Sequence, residues 1–129
     1  MMYVYPRYRK GYAMFENRIE AGLVTRRCEA ALDGWALDAE ERHGVQVCGI
    51  SPCEPGAAVA LETRARHLVD VDRSVAALVG HEALMPLWLR LPQEGLSGMS
   101  PLDVMLAHQS GLRFLRRLLL SEQLSRGFA

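Results

Sequence analysis

A chain of 129 residues, half of them apolar, has material for one domain or for two small lobes sharing a core. Its 15 basic and 15 acidic residues cancel, which excludes a polyanion binder acting through net charge. No apolar run approaches the roughly 18 residues of a membrane span. Tyr, Arg and Pro also interrupt the N-terminus where a signal peptide needs its apolar core, so the expected location is the cytoplasm.

The charge is unevenly spread. Residues 1–13 hold Arg7, Arg9 and Lys10 and no acid, whereas residues 28–82 carry ten acids against four arginines. After Asp103 come Arg113, Arg116, Arg117 and Arg126 against Glu122 alone. In the leader, Tyr3, Tyr5, Tyr8 and Tyr12 interleave with the cations. That pattern suits base stacking and phosphate contact, with Arg7, Arg9 and Lys10 as the nucleic-acid candidates. The plainer reading, and the one expected, is a disordered leader, or residues upstream of a start at Met14.

Phe15–Trp35 has the rhythm of a helix, with Val24, Cys28, Ala31 and Trp35 on one face and Ile19 and Leu23 extending it. Asp38 followed three residues later by Glu41 is a capping-box start, and Gly44 is expected to cut that helix short or fray it. Gly49-Ile50-Ser51 has the look of a helix-turn-helix turn. The segment after it, Pro52 to Ala58, contains Pro55-Gly56, which forbids a regular helix, and offers no bidentate base contact. Ala57–Val79 is the longest expected helix, with Leu61, Ala65, Leu68, Val75 and Val79 inward. Glu62, Arg66, Asp70 and Arg73 face solvent, Asp72 lies near the stripe where it needs a partner, and Gly80 ends the helix.

Glu82–Leu91 reads as a shorter helix with Pro86 in its first turn and Leu84, Leu87, Trp88 and Leu91 inward. Pro92 stops it, and Gly95 and Gly98 free the backbone of the following loop. Ser100-Pro101-Leu102-Asp103 is a helix start, with Ser100 as cap, Pro101 in the first turn and Asp103 at the capping-box position. That helix runs Pro101–His108 with Leu102, Met105 and Leu106 on one side, and Ser110-Gly111 is the expected turn. Leu112–Leu120 closes the fold. Leu112, Leu115, Leu118 and Leu119 face inward there, while Arg113, Arg116, Arg117 and Leu120 face outward as a contact surface.

The order of residues from Trp88 to Asp103 resembles the C-terminal, toxin-binding domain of Xre/MbcA/ParS-type antitoxins. Trp88, Leu89, Arg90, Pro92, Gly98, Ser100, Pro101, Leu102 and Asp103 match that pattern. Gln93 stands where Asn is usual, Ser97 where the first Gly is, and Met99 where Arg is. The likeness covers Arg64–Ala129 and only loosely the first half. It implies an antitoxin that neutralises a cognate toxin, commonly a RES-domain enzyme that consumes NAD, through its C-terminal helices and tail. It also implies dimerisation and repression of the operon by the complex. In that reading Trp88, Arg90, Pro92, Gly98, Ser100, Pro101 and Asp103 shape the loop. Arg113, Arg116, Arg117, Leu120, Arg126 and Phe128 are the residues expected to touch the toxin.

Other chemistry finds little support. His43, His67, His81 and His108 pair with no second ligand at metal spacing. Cys28, Cys48 and Cys53 are an odd number, read as free thiols. No phosphate loop and no nucleophile elbow is present. The expectation is an all-α bundle of six or seven helices, with no cofactor, no metal and no enzymatic role. Its expected divisions are a leader (1–13), a degenerate helix-turn-helix-like lobe (14–56) and a toxin-binding region (57–129). The alternatives are a DNA-binding regulator or a helical adapter without a toxin.

Overall fold

A computed structural model describes residues 22–80 and 82–127, with side chains for all of these except 82 and 122–127. The described residues form six α-helices and no strand. Helix α1 covers 22–33, α2 Ala39–Val47, α3 Ala57–Val79, α4 Met85–Arg90, α5 Pro101–Ala107 and α6 Gln109–Gly127. Short 3₁₀ turns at Glu82–Leu84 and Glu94–Leu96 flank α4.

Local chemistry sets several of these boundaries. Asp38 caps α2 by accepting from the Glu41 N–H, and the Glu41 carboxylate accepts from the Asp38 N–H, so the box closes in both directions. Gly56 and Gly80 bound α3, both with positive φ. Ser100 Oγ accepts from the Asp103 N–H at 3.1 Å and starts α5, although only this half of the box forms.

The core is one cluster that draws on every helix. Cys28 and Leu32 come from α1, Val45 from α2, and Leu68, Val71 and Val75 from α3. Met85 and Leu89 come from α4, Leu102 and Met105 from α5, and Leu112, Leu115 and Leu119 from α6. Each large side chain removed from water in this way stabilises the fold by about 1.5–3 kcal/mol. Helix α6 packs against α3 on one side and α5 on the other, and α2 touches both α3 and α5.

The structure corrects several expectations. Within the described part of Phe15–Trp35 the helix ends at 33, and 15–21 lie outside the described residues. Gly34 and Trp35 then turn tightly onto the carbonyls of Ala31 and Leu32. The turn delivers Trp35 into the core, where its indole N–H donates to Asp72 Oδ1 at 2.8 Å. Leu23 faces solvent. Helix α2 does not stop at Gly44, because that glycine is a contact point: a Cβ there would lie 2.7 Å from Leu106 Cδ2. On α4 the inward residues are Met85 and Leu89, whereas Leu84, Leu87 and Leu91 are exposed. Met85 and Leu89, four apart, share a regular helical face that lies one residue round from the expected one.

Ser110 and Gly111 are not a turn. The break falls at His108 alone, which is extended, and α6 restarts at Gln109. The His108 ring Nδ1 accepts from the Ser110 N–H at 3.1 Å and serves as a side-chain cap. Gly111 lies inside α6 because α5 crosses there; a Cβ would sit 2.0 Å from the Val104 carbonyl oxygen. Leu118 is exposed rather than inward.

Arg64 is the largest departure. It sits on the inner face of α3 at 5% exposure. Its guanidinium donates to the carbonyls of Val45, Met105 (2.8 Å) and Gln109 (3.4 Å). Val45 and Met105 lie in the last turns of α2 and α5, where carbonyls lack helical partners and the helix dipole is negative. One cation thus serves two helix ends and the start of a third. Burial lowers its pKa from the ordinary value, but a guanidinium stays charged.

Candidate functional site

The loop that carries the Trp88–Asp103 pattern is held from several sides. Leu91 turns extended ahead of Pro92, as a residue before proline favours. The Gln93 N–H donates to the Met99 carbonyl and the Gly98 N–H to the Gln93 carbonyl, closing the loop on itself. Leu96 is buried and pins the loop to the core. Positive φ is used at Ser97 and Gly98, not at Gly95. Arg90 leaves the end of α4 to grip Glu41 with two hydrogen bonds, at 2.8 and 2.9 Å, and reaches the Ala36 carbonyl. Trp88 is half-buried against the core, Pro101 is buried and Asp103 and Pro92 are exposed. The contacts of Arg90, Gln93, Leu96 and Ser100 hold the loop in place, and Met99 reaches the groove between α5 and α6.

The expected contact surface on α6 divides in two. At 100° per residue, Arg113, Arg117 and Leu120 share one flank of the exposed arc, and Phe114 and Leu118 the other. Phe114 is 51% exposed, and Leu118 and Leu120 are also exposed. Between α5 and α6 runs a shallow groove of about 540 Å³ with Met99, Val104, Ala107 and Phe114 along it and Arg113 and Arg117 at its edge. Gly111 makes the groove possible by letting α5 and α6 meet closely. Arg113 and Arg117 form no ion pair among the described residues.

Arg116 does not share this freedom. Its Nε donates to Asp70 Oδ2 at 2.8 Å across the α3–α6 seam, a pair that remains partly exposed. Next to that pair, burial lowers the His67 pKa; Arg116, Arg113 and Arg64 push it the same way and Asp70 opposes them. The Arg126 side chain and Phe128 lie outside the described residues, as do Arg7, Arg9, Lys10 and His81. Sequence reading missed Phe114 as a surface residue, because it shares a helix face with Leu118, which that reading placed inward.

No recognition helix directly follows α2. The chain turns through 48–56 before α3, with Pro55-Gly56 outside any helix. Cys28 is buried, Cys48 half-buried and Cys53 exposed, all as free thiols. Among the described residues no three His, Cys, Asp or Glu side chains gather as metal ligands, and no helix is long and apolar enough to cross a membrane. No family model, curated protein or solved structure matches the chain.

Proposed function

We propose that this chain is an antitoxin that binds and neutralises a cognate protein toxin, the class that the Trp88–Asp103 pattern resembles. The observation that carries the reading is the outer surface of α6. Arg113 and Arg117, with no ion pair among the described residues, stand beside exposed Phe114, Leu118 and Leu120. Arginine and aromatic anchors at the centre of a desolvated contact carry most of the binding energy in protein interfaces. Arg90, which ties α4 to Glu41 on α2, and Ser100, which caps α5, have contacts compatible with the structural role the resemblance implies for them. The toxin is a RES-type, NAD-consuming enzyme, whose pocket accepts an anionic dinucleotide and suits a cationic face or a plugging tail. Dimerisation and operator binding by the complex belong to the same proposal.

The test is co-expression with the product of the neighbouring gene. Wild-type chain should rescue growth. The pair R113E and R117E, combined with F114A, should weaken binding by about a hundredfold while leaving the circular dichroism unchanged. Unchanged affinity would reject the α6 face. Removing residues 124–129 separates the two modes: lost neutralisation with retained binding assigns the inhibition to the tail, and full neutralisation assigns it to the helix.

A further inference from the structure

A second cleft lies on the other side of α6, against α3. It holds about 220 Å³, room for about seven water molecules at roughly 30 Å³ each. Its polar lining is Thr63, Arg64 and His67 from α3 with Gln109 and Arg113 from α6. No carboxylate lines it.

The charge at its base has no carboxylate partner among the described residues. Arg64 is buried, and all its hydrogen bonds go to neutral carbonyl oxygens. Asp70, on α3, is engaged by Arg116, and Glu62 by Arg66. The carbonyl dipoles satisfy the guanidinium's donors and offset part of its charge, leaving a net positive site facing the cleft. Arg113 is exposed at the mouth with no ion pair among the described residues, so its fork is free to take two oxygens of a tetrahedral anion. Thr63, Gln109 and His67 add neutral donors around the same volume. Ile50, Ala60 and Leu112 complete the wall.

We propose that the α3–α6 cleft binds a phosphoryl group, gripped by Arg113 at the mouth and drawn in by the buried charge of Arg64. The size of the cleft admits the phosphoryl end of a small phosphate monoester, or phosphate itself, and leaves the rest of a larger molecule outside. The site needs no protein partner, so its test is independent of the antitoxin reading.

The test is a titration of the full chain with sodium phosphate, adenosine monophosphate and sodium chloride at one ionic strength, followed by NMR of the His67 ring and the arginine Nε–H groups. Phosphate should give saturable shifts confined to His67, Arg64 and Arg113, with no matching response to chloride. R113Q, at an exposed position, should keep the wild-type melting temperature and lower phosphate affinity by about tenfold, the loss of one charge-assisted contact. Saturation by adenosine monophosphate at least as tight as by phosphate identifies the ligand as an ester; saturation by phosphate alone identifies the free anion. Shifts that rise linearly, that chloride reproduces, or that R113Q leaves intact would overturn the proposal.

Discussion

Arg90 and Glu41, forty-nine positions apart, face each other as a two-pronged ion pair, with Nη1–Oε2 and Nη2–Oε1 separations of 2.9 and 2.8 Å. Glu41 also closes the α2 capping box, so one carboxylate joins the first turn of α2 to the last turn of α4. The Arg90 guanidinium, followed by the Asp38 N–H, lowers the Glu41 pKa from 4.5 to about 2. A carboxylate depressed in the folded state adds stability that is present above pH 4.5 and drains away as pH falls toward 2. Both side chains meet water, so E41Q or R90K should cost about 1 kcal/mol at pH 7. E41Q should also flatten the acid limb of stability between pH 4.5 and 2. Urea midpoints across that range check both.

Arg64 should be far less replaceable. Its partners are backbone carbonyls, which remain buried when the side chain changes. R64M fills the space but leaves those oxygens without a donor, and should cost about 3–5 kcal/mol. R64K should recover only part, because an ammonium lacks the fork that reaches separate helix ends. Chemical denaturation of the two variants tests this.

Two buried-side glycines should respond differently to an added methyl. At Gly111 the methyl would meet the Val104 carbonyl oxygen at 2.0 Å, a backbone atom that cannot step aside. G111A should therefore cost about 3 kcal/mol or more by forcing α5 from α6. At Gly44 it would meet only the far end of Leu106, and alanine's helix preference works in its favour. G44A should stay within about 1 kcal/mol of wild type in thermal unfolding.

Ser97 holds φ at 56°, a left-handed conformation that costs a side-chain-bearing residue energy. S97G should raise stability by about 0.5 kcal/mol after the extra freedom of the unfolded glycine is counted. G98A, at φ 81°, should lower it by about 1 kcal/mol. Opposite shifts in melting temperature from adjacent residues are the expected result.

The three thiols should label in the order of their burial. Cys53 is exposed, Cys48 is half-buried and its thiol reaches the Leu106 carbonyl at 3.6 Å, and Cys28 is in the core. Burial, helped by Glu29 and opposed by Arg42, pushes the Cys28 thiol up to about 11. At pH 8 an alkylating reagent should modify Cys53 quickly and Cys28 only through unfolding. Peptide mapping over time distinguishes the sites.

What the sequence showed plainly was what neighbours in sequence decide. The Asp38 box, the Ser100 cap and the full span of α3 rest on residues within four positions of one another. Asp72 was marked as needing a partner, and its partner Trp35 lay 37 positions away. Gly44 and Gly111 were misread because a glycine that breaks a helix and one that admits a neighbour look alike until the neighbour is placed. Arg64 stood between Leu61 and Leu68 on the apolar stripe of α3, a signal passed over because an arginine is seldom buried. The outward arginines of α6 were found, but only the packed structure separates Arg116, committed to Asp70, from Arg113 and Arg117.

A guanidinium cannot be let go by halves. If α2, α5 or the first turn of α6 opened alone, it would strand the Arg64 charge among the remaining carbonyls, with water admitted at one side only. Local opening is thereby discouraged, and these segments should loosen together as a single cooperative unit. Their slowest amide protons should then exchange with one shared free energy, and that value should fall for all of them at once in R64K.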